Sequence, residues 1–320
     1  GPPNQGLECM FTFMNTARIG TAIQGVGPAE LSYQWALAYA RERRSMRALS
    51  GKKEPDQVAD AIIHHADVRR MLLTQKAVAE GARALIYLAG QQVDIVHAGK
   101  SEEERKAADA LLGFLTPIAK AFLTEIGYEA ANLGLQVFGG HGYISEWGME
   151  QNVRDARISM IYEGTTGIQA LDLLGRKVLM TQGEALKLFT KQVHLFCKEN
   201  ADNAQLKEFI EPLAAINKEW GELTMKIGMA AMKNREEVGA ASVDYLMYSG
   251  YAVFAYLWAR MAKVALDKMA DGTTEEMFYN AKVQTARFYF KRILPRTKAH
   301  AEAMLAGADP TDHEAARSGL

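Results

Sequence analysis

Residues 154–169 combine a lone carboxylate, two glycines and a helical apolar pattern in one stretch. Apolar side chains at helical spacing precede Glu163 and predict one helix face: Ile158, Ile161 and Tyr162. Residues 164–167 then interrupt the helix. A carboxylate beside glycine at such a break can extend over a bound ligand, and Thr165 or Thr166 can cap the helix that follows. The alternative is a surface glutamate beside an ordinary helix cap.

Composition excludes several classes of function. The chain of 320 residues has a formal net charge of −1, which favours neither nucleic-acid binding nor an anionic membrane surface. Cys9 and Cys197 are far apart, and the adjacent pair His64–His65 is not part of an HExxH pattern, so we expect no disulfide framework and no metal site. Without a run of eighteen apolar residues or a signal peptide, we expect no transmembrane segment and a cytoplasmic location.

Long proline-poor segments rich in good helix formers predict an all-α fold. The first helix is predicted over residues 6–44, where Gly25, Gly27 and Pro28 permit close packing and a bend. The second is predicted over residues 66–98.

A capping box, Ser101 with Glu104, predicts the start of a third helix that runs toward Leu135. This helix is apolar on most sides, which predicts the most buried helix of a four-helix bundle, and Pro117 should kink it.

Residues 181–320 are predicted to form a second helical region. Helices are expected over residues 206–235 and 242–269, and a last long helix begins at Phe278. The 242–269 segment is rich in tyrosine and other aromatic residues, which is typical of core or subunit contacts. We expect it to lie mainly inside the core of this second region.

Two motifs, in order and at family spacing, resemble the acyl-CoA dehydrogenases. Residues 161–165, Ile-Tyr-Glu-Gly-Thr, with Arg-Asp-Ala-Arg upstream, resemble the catalytic-base segment, and Gln136–Tyr143 resembles the flavin-contacting turn. The resemblance implies the family's C-terminal helical bundle over residues 1–180. Residues 181–320 resemble the C-terminal extension of larger members such as the very-long-chain and methylmercaptopropionyl-CoA dehydrogenases. The family's N-terminal helical and middle β-domains are not in this sequence, so we expect it to be a C-terminal portion.

The resemblance implies FAD-dependent oxidation of a fatty acyl-CoA to a trans-2-enoyl-CoA in β-oxidation. Glu163 would be the base, and electrons would pass to an electron-transfer flavoprotein. The alternative base position used by some members falls near Ala17, which cannot take a proton. A flavin acyl-CoA oxidase and a non-catalytic helical interaction module remain as alternatives.

The same resemblance assigns contacts at both ends of the first helix and around the two motifs. The implied FAD contacts are Arg43, Ser45, Gln136, Gly139, Gly140, Thr165 and Gly167, and the implied substrate contacts are Asn15, Arg18 and Gly164. Of these, Arg43, Ser45, Gln136, Gly139 and Gly140 would contact the flavin of a neighbouring subunit, which implies a homodimer. The alternatives are a basic helix end, a solvated helix face and simple loop glycines. After Ser45 the sequence departs from the short-chain members, and residues 50–56 predict a loop over the cofactor or substrate entrance.

Overall fold

A computed structural model describes residues 1–310, apart from the side chains of Glu8, Phe11, Thr12 and Asn15. Within that range every regular element is a helix, and the only β-type pairing is an isolated bridge between Arg44 and Ala61. The α-helices are α1 (Gly6–Glu42), α2 (Ala66–Ala98), α3 (Glu102–Phe138), α4 (Gly140–Tyr143), α5 (Met149–Ile158), α6 (Thr166–Leu171), α7 (Glu184–Glu199), α8 (Lys207–Ala231), α9 (Glu236–Ala270), α10 (Glu276–Phe288) and α11 (Arg296–Met304). The all-α prediction is therefore confirmed.

Most predicted helix boundaries agree with the structure, because capping and turn signals are local. Helix α2 has the predicted ends, and Ser101 caps α3 by accepting the Glu104 N–H at 3.1 Å. Helix α1 ends at Glu42 rather than Arg44, with Arg43 already extended. Helix α3 continues to Phe138, beyond the predicted Leu135. The last helix is divided: α10 passes into a π-helical segment, Tyr289–Ile293, and α11 begins after Pro295.

Helices α1 and α3 approach so closely that backbone meets backbone. A Cβ at Gly25 would lie 2.2 Å from the carbonyl oxygen of Leu123, and a Cβ at Gly127 would lie 2.2 Å from that of Gly25. At Gly27, by contrast, an added Cβ would meet no atom within 4 Å, so this glycine plays no part in the contact. Close packing was thus predicted correctly for Gly25 and wrongly for Gly27.

Helix α3 is the central helix of the bundle. By length and composition it is apolar enough to cross a membrane, but 83% of its most apolar window is buried inside the protein. Its fully buried residues include Phe114, Leu115, Ile118 and Phe122. The predicted role of α3 as the most buried helix of the bundle agrees with this burial.

Helix α9 lies mainly among the helices of the second half, α8, α10 and α11, and it also packs on helices of the first half. The Phe122 ring of α3 meets Tyr251 and Phe254 edge to face, with centroids 4.9 Å and 5.0 Å apart. A Cβ at Gly250 would lie 2.2 Å from the Phe122 ring. The expectation that this aromatic segment lies mainly in the core of the second half agrees with the structure. Its additional packing on α3 was not predicted, because an aromatic pattern indicates burial without identifying every helix that covers it. Buried side chains from both halves form one continuous core, and the boundary at residue 180 stays a prediction.

The contact of Gly25 with Leu123 predicts that Gly25→Ala destabilises the protein by about 1–3 kcal/mol, the usual range for overpacking. The control is Gly20→Ala on the same helix, where an added methyl group meets no atom within 4 Å. It should be neutral or stabilising by up to about 1 kcal/mol. Urea unfolding followed by circular dichroism measures both variants, and equal midpoints would contradict the proposed backbone contact.

Candidate functional site

Glu163 lies in a left-handed turn, which we define as the Glu163 turn (residues 162–166). Glu163 has φ 57° and Gly164 has φ 90°. A non-glycine residue with positive φ is uncommon and strained, and such residues cluster at functional sites. The preceding helix, α5, ends at Ile158, so the predicted helical face does not continue to Glu163. Its expected members Ile158, Ile161 and Tyr162 are exposed, because the buried Ser159 hydroxyl bonds the Ala156 carbonyl and the chain leaves the helix.

Two side chains hold successive carbonyl groups of the Glu163 turn. The buried Gln169 amide donates to the Glu163 carbonyl oxygen at 3.1 Å, and the Lys120 ammonium donates to the Gly164 carbonyl oxygen at 2.7 Å. A Cβ at Gly164 would lie only 2.6 Å from the Gln169 amide nitrogen. The conformation at Glu163 is therefore fixed by long-range contacts as well as by the local sequence.

Both threonines of the turn make the contacts of a helix start. Thr165 caps α6 by accepting the Ile168 N–H at 3.4 Å, as the sequence predicted for one of the two threonines. Thr166 donates its hydroxyl to the Glu125 carboxylate of α3 at 2.6 Å. Gly167 and Gly164 lie in the same segment as Glu163, so these predicted ligand contacts form one local group.

Lys120 is the residue near Glu163 that sequence reasoning missed. It is completely buried on α3, and burial lowers the pKa of its ammonium to about 8, with the negative charge of Glu163 acting in the opposite direction. The sequence did contain a signal for this residue, because Lys120 is a single charged side chain within the apolar stretch that forms α3. Burying an ammonium without a carboxylate partner costs folding free energy, and such groups cluster at functional sites.

Arg18, a predicted substrate contact, is buried and forms an ion pair within the protein. Its guanidinium meets the buried Asp172 carboxylate at 3.3 Å, and Arg176 forms an ion pair with the other oxygen of Asp172 at 3.1 Å. Arg18 Nε has no hydrogen-bond partner in the described structure. Arg18 also contributes to the electrostatic environment of Lys120, which places it at the same end of the bundle. The Asn15 side chain lies outside the described residues.

A second group of predicted residues lines a cavity of about 410 Å³, which we call the Arg43 cavity. Arg43, Ser45, Gly139 and Gly140 contribute to its lining, together with Ile62, Val137 and the aromatic side chains Tyr39, Phe138 and His141. The structure thus brings together four positions that are up to 97 residues apart. Gln136 is not part of the lining. It is exposed one turn earlier, where its carbonyl oxygen accepts the Gly139 N–H at 3.0 Å.

Aromatic side chains in the wall of the Arg43 cavity contact one another. The Tyr39 hydroxyl and His141 Nδ1 are 2.8 Å apart, and the Tyr39 ring stacks on Phe138 with centroids 4.2 Å apart. Arg43 itself is exposed and makes no ion pair with a carboxylate in the described part of the chain. Its guanidinium is therefore available to an anionic group in the cavity.

The loop between α1 and α2 is organised around the fully buried Asp60. Its carboxylate accepts the backbone N–H groups of Ala48, Lys53 and Glu54 at 2.9–3.0 Å, and Arg47 at 3.1 Å. These bonds, led by that of Ala48, hold the pKa of Asp60 well below its usual range although burial acts against them. The Asp60 carbonyl oxygen also accepts the Ser45 N–H at 3.1 Å, so this loop places Ser45 at the cavity.

The Glu163 turn and the Arg43 cavity lie at opposite ends of the same helices. Arg43 follows Arg18 by 25 residues along α1, which is roughly 37 Å at the helical rise, and Gly139 follows Lys120 by 19 residues, roughly 28 Å. The predicted cofactor residues therefore form two separate groups: Thr165 and Gly167 near Glu163, and the Arg43 group at the far end.

The bonds to Asp60 predict that Asp60→Asn lowers the thermal midpoint, because the amide cannot accept four donors equally well. The pKa of Asp60 is lowered in the folded state, so its stabilisation is present above the ordinary aspartate pKa and is lost as pH falls through the folded value. The difference from wild type should persist from pH 7 to about pH 4 and shrink below it. Asp56→Asn in the same loop, where the side chain is exposed, is the control. Equal midpoints for the two variants would contradict the role of Asp60.

Comparison with known proteins identifies the family. The sequence profile described as "Acyl-CoA dehydrogenase, C-terminal domain" matches residues 4–179, and one described as "Acetyl-CoA dehydrogenase C-terminal like" matches residues 189–312. The 3-methylmercaptopropionyl-CoA dehydrogenase of Ruegeria pomeroyi is 38% identical over 93% of this chain and 50% of its own length. A broad-specificity linear acyl-CoA dehydrogenase of Mycobacterium tuberculosis is 34% identical over 92% of this chain and 50% of its own length.

A solved structure supports the same fold. An acyl-CoA dehydrogenase from Bacillus anthracis, complexed with FAD, superposes with a TM-score of 0.73 at 19% identity, covering 94% of this chain and 50% of that one. The chain spans about half the length of the curated relatives it matches. The profile matches and the identities above 30% over nearly the whole chain show that the chain belongs to the acyl-CoA dehydrogenase family. It corresponds to the C-terminal portion of the family's enzymes.

Proposed function

We propose that the full-length protein oxidises a fatty acyl-CoA to the trans-2-enoyl-CoA in β-oxidation. In this proposal the Glu163 carboxylate removes the α-proton of the thioester and becomes a neutral carboxylic acid. FAD, when bound, supplies the acceptor for the hydride that leaves Cβ. The electrons then pass to an electron-transfer flavoprotein. The curated relatives of at least 30% identity named above are dehydrogenases, which favours this activity over an oxidase.

One feature of the Glu163 turn carries the proposal. The backbone N–H of Glu163 donates to no acceptor within the described residues, while the two neighbouring carbonyl groups are held by Gln169 and Lys120. A fixed N–H with no partner of its own, beside a half-buried carboxylate, suits a thioester. The N–H can polarise the carbonyl oxygen while the carboxylate takes the adjacent proton, since positioned donors stabilise the developing negative charge.

The Arg43 cavity fits the pyrophosphate of FAD. Arginine binds two phosphate oxygens at once, and the Arg43 guanidinium is exposed and without a carboxylate partner in the described chain. A Cβ at Gly139 or Gly140 would meet no atom within 4 Å, so this backbone faces open space that a ligand can enter. Gln136, just before the glycines, would contact the same cofactor at the rim.

We propose a homodimer in which each FAD is held by both subunits. The Arg43 cavity is roughly 28 Å or more from the Glu163 turn of the same chain by helix length. Thr165 and Gly167 would contact the cofactor that faces their own Glu163, and Arg43, Ser45, Gly139 and Gly140 would hold that of the partner. A C2 pair provides both contacts twice.

The assignment of Glu163 predicts that Glu163→Gln slows flavin reduction by acyl-CoA at least about a hundredfold, the usual scale for loss of a general base. The amide is nearly isosteric, so the fold should be unchanged. Anaerobic stopped-flow spectroscopy of the full-length holoenzyme measures this rate, with Glu211→Gln on the exposed face of α8 as the control. A near-normal rate in Glu163→Gln would overturn the assignment.

The same apparatus separates the alternative functions. Rapid reoxidation of the reduced wild-type flavin by air would favour an acyl-CoA oxidase. Failure of every acyl-CoA to reduce the flavin would favour a non-catalytic module. Reduction by acyl-CoA with slow reoxidation in air, accelerated by an electron-transfer flavoprotein, is the result expected for a dehydrogenase.

The Arg43 cavity predicts that Arg43→Ala weakens FAD retention about ten- to a hundredfold, the loss expected for a charged hydrogen bond, without unfolding the bundle. Arg41→Ala is the control, since Arg41 is exposed near the same helix end and outside the cavity lining. Flavin content after gel filtration measures retention. Sedimentation of the wild-type holoenzyme tests the shared site, and a monomer that retains FAD would contradict it.

A further inference from the structure

Lys120 occupies a position that fold stability alone does not explain. The side chain is completely buried, yet within the described residues its ammonium makes no ion pair with a carboxylate within 4.0 Å. Its hydrogen bond goes to the Gly164 carbonyl oxygen, at 2.7 Å. A buried ammonium without a close carboxylate disfavours the folded state, and an apolar side chain of similar length would avoid that penalty.

The charges around Lys120 belong to the Glu163 turn and to helices α1 and α3. Glu163 attracts the ammonium from the turn, and Glu125, one turn further along α3, attracts it from the same helix. Arg18 repels it from α1, although Arg18 is itself paired with Asp172. Glu125 also accepts the Thr166 hydroxyl, so both acidic neighbours are tied to the segment that carries the base.

The hydrogen bond from Lys120 acts on the residue directly after Glu163. With Gln169 holding the Glu163 carbonyl and Lys120 holding the Gly164 carbonyl, two successive peptide groups are fixed. Those two residues have the positive φ angles of the turn. A strained backbone of this kind persists only when its surroundings hold it in place.

We propose that Lys120 is a positioning residue for the base, and that its buried ammonium holds the Glu163 turn in the conformation that presents both the carboxylate and the free N–H of Glu163 to the thioester. The proposal rests on the function proposed above. Lys120 does not touch the reacting atoms and acts through the Gly164 carbonyl and the field at Glu163. Its positive charge remains while the carboxylate of Glu163 gains the α-proton.

Lys120→Met tests this role, because methionine has similar length but neither charge nor donor. In the full-length holoenzyme we expect the rate of flavin reduction at saturating acyl-CoA to fall about ten- to a hundredfold, the scale of a misplaced catalytic group. The KM for acyl-CoA should change less than about threefold. Lys106→Met on the same helix is the matched control, since Lys106 is exposed and pairs only with Glu102 at the surface.

The pH profile supplies a readout that a purely structural lysine would not move. Lys120 is charged below its folded pKa of about 8, so the wild-type rate should decline as pH rises above 8. Lys120→Met should lack this alkaline decline and remain at its lower rate. A wild-type rate that is constant from about pH 7 to pH 9.5, or a decline that persists in Lys120→Met, would overturn the proposal.

Thermal unfolding gives a second measurement that is independent of activity. The folded pKa of Lys120 is lower than the unfolded one, so the unfolded chain binds more protons between them, and stability relative to Lys120→Met should rise as pH increases from about 8 to 10.5. A midpoint difference that does not change with pH would contradict the buried ammonium.

The outcomes for the two proposals are distinguishable. If wild type is not reduced by any acyl-CoA, the proposed function fails. If wild type is reduced and Glu163→Gln is not, while Lys120→Met matches wild type in rate and pH profile, only the role of Lys120 fails. A Lys120→Met variant that unfolds at a lower temperature but keeps the wild-type rate per bound flavin would likewise overturn the positioning role.

Discussion

The close backbone contact between α1 and α3 determines where the chemistry-bearing residues lie. With Gly25 against Leu123 and Gly127 against Gly25, the two helices are fixed in register as well as in distance. That register places Arg18 near Lys120 at one end of the bundle and Arg43 beside Gly139 at the other. A side chain at the contact would separate the helices and disturb both ends together, because each end is built from residues of both helices.

The two ends of the bundle use buried charge in different ways. At the Arg43 end, Asp60 gathers three backbone N–H groups and an arginine, and this satisfied carboxylate fixes the loop that carries Ser45. At the Glu163 end, Lys120 is buried with one carbonyl acceptor and no close carboxylate among the described residues. In the first arrangement a buried charge has a full set of hydrogen-bond partners. In the second, a buried charge with one hydrogen bond lies beside a strained turn, a combination that is common at functional sites.

Helix α9 links the site to the second half of the chain. Its rings pack on Phe122 of α3, one helical turn or less from Lys120 and Glu125 in the sequence. Arg296 of α11 forms two 2.7 Å bonds with Glu129, which lies further along α3. The C-terminal helices thus support the helix that carries Lys120, through shared core contacts and through this part-exposed ion pair.

The sequence by itself determined the local features of this protein. The limits of α2, the Ser101 cap, a threonine cap at residue 165 or 166 and the order and spacing of the Glu163 and Gly139 motifs follow from signals a few residues long. Such signals depend on nearby backbone groups, so they can be identified without the fold. The motif spacing also indicated the family, and with it the all-α bundle.

Only the tertiary structure decided which charges are buried and what they touch. Lys120 and Gly164 are 44 residues apart, and Arg18 and Asp172 are 154 apart, so no local pattern pairs them. The left-handed conformation of Glu163 depends on hydrogen bonds from side chains of α3 and α6. The packing of α9 against α3 likewise depends on how the helices assemble. Apolar periodicity predicts that a face is buried, but the partner that buries it is fixed by close packing of the whole core.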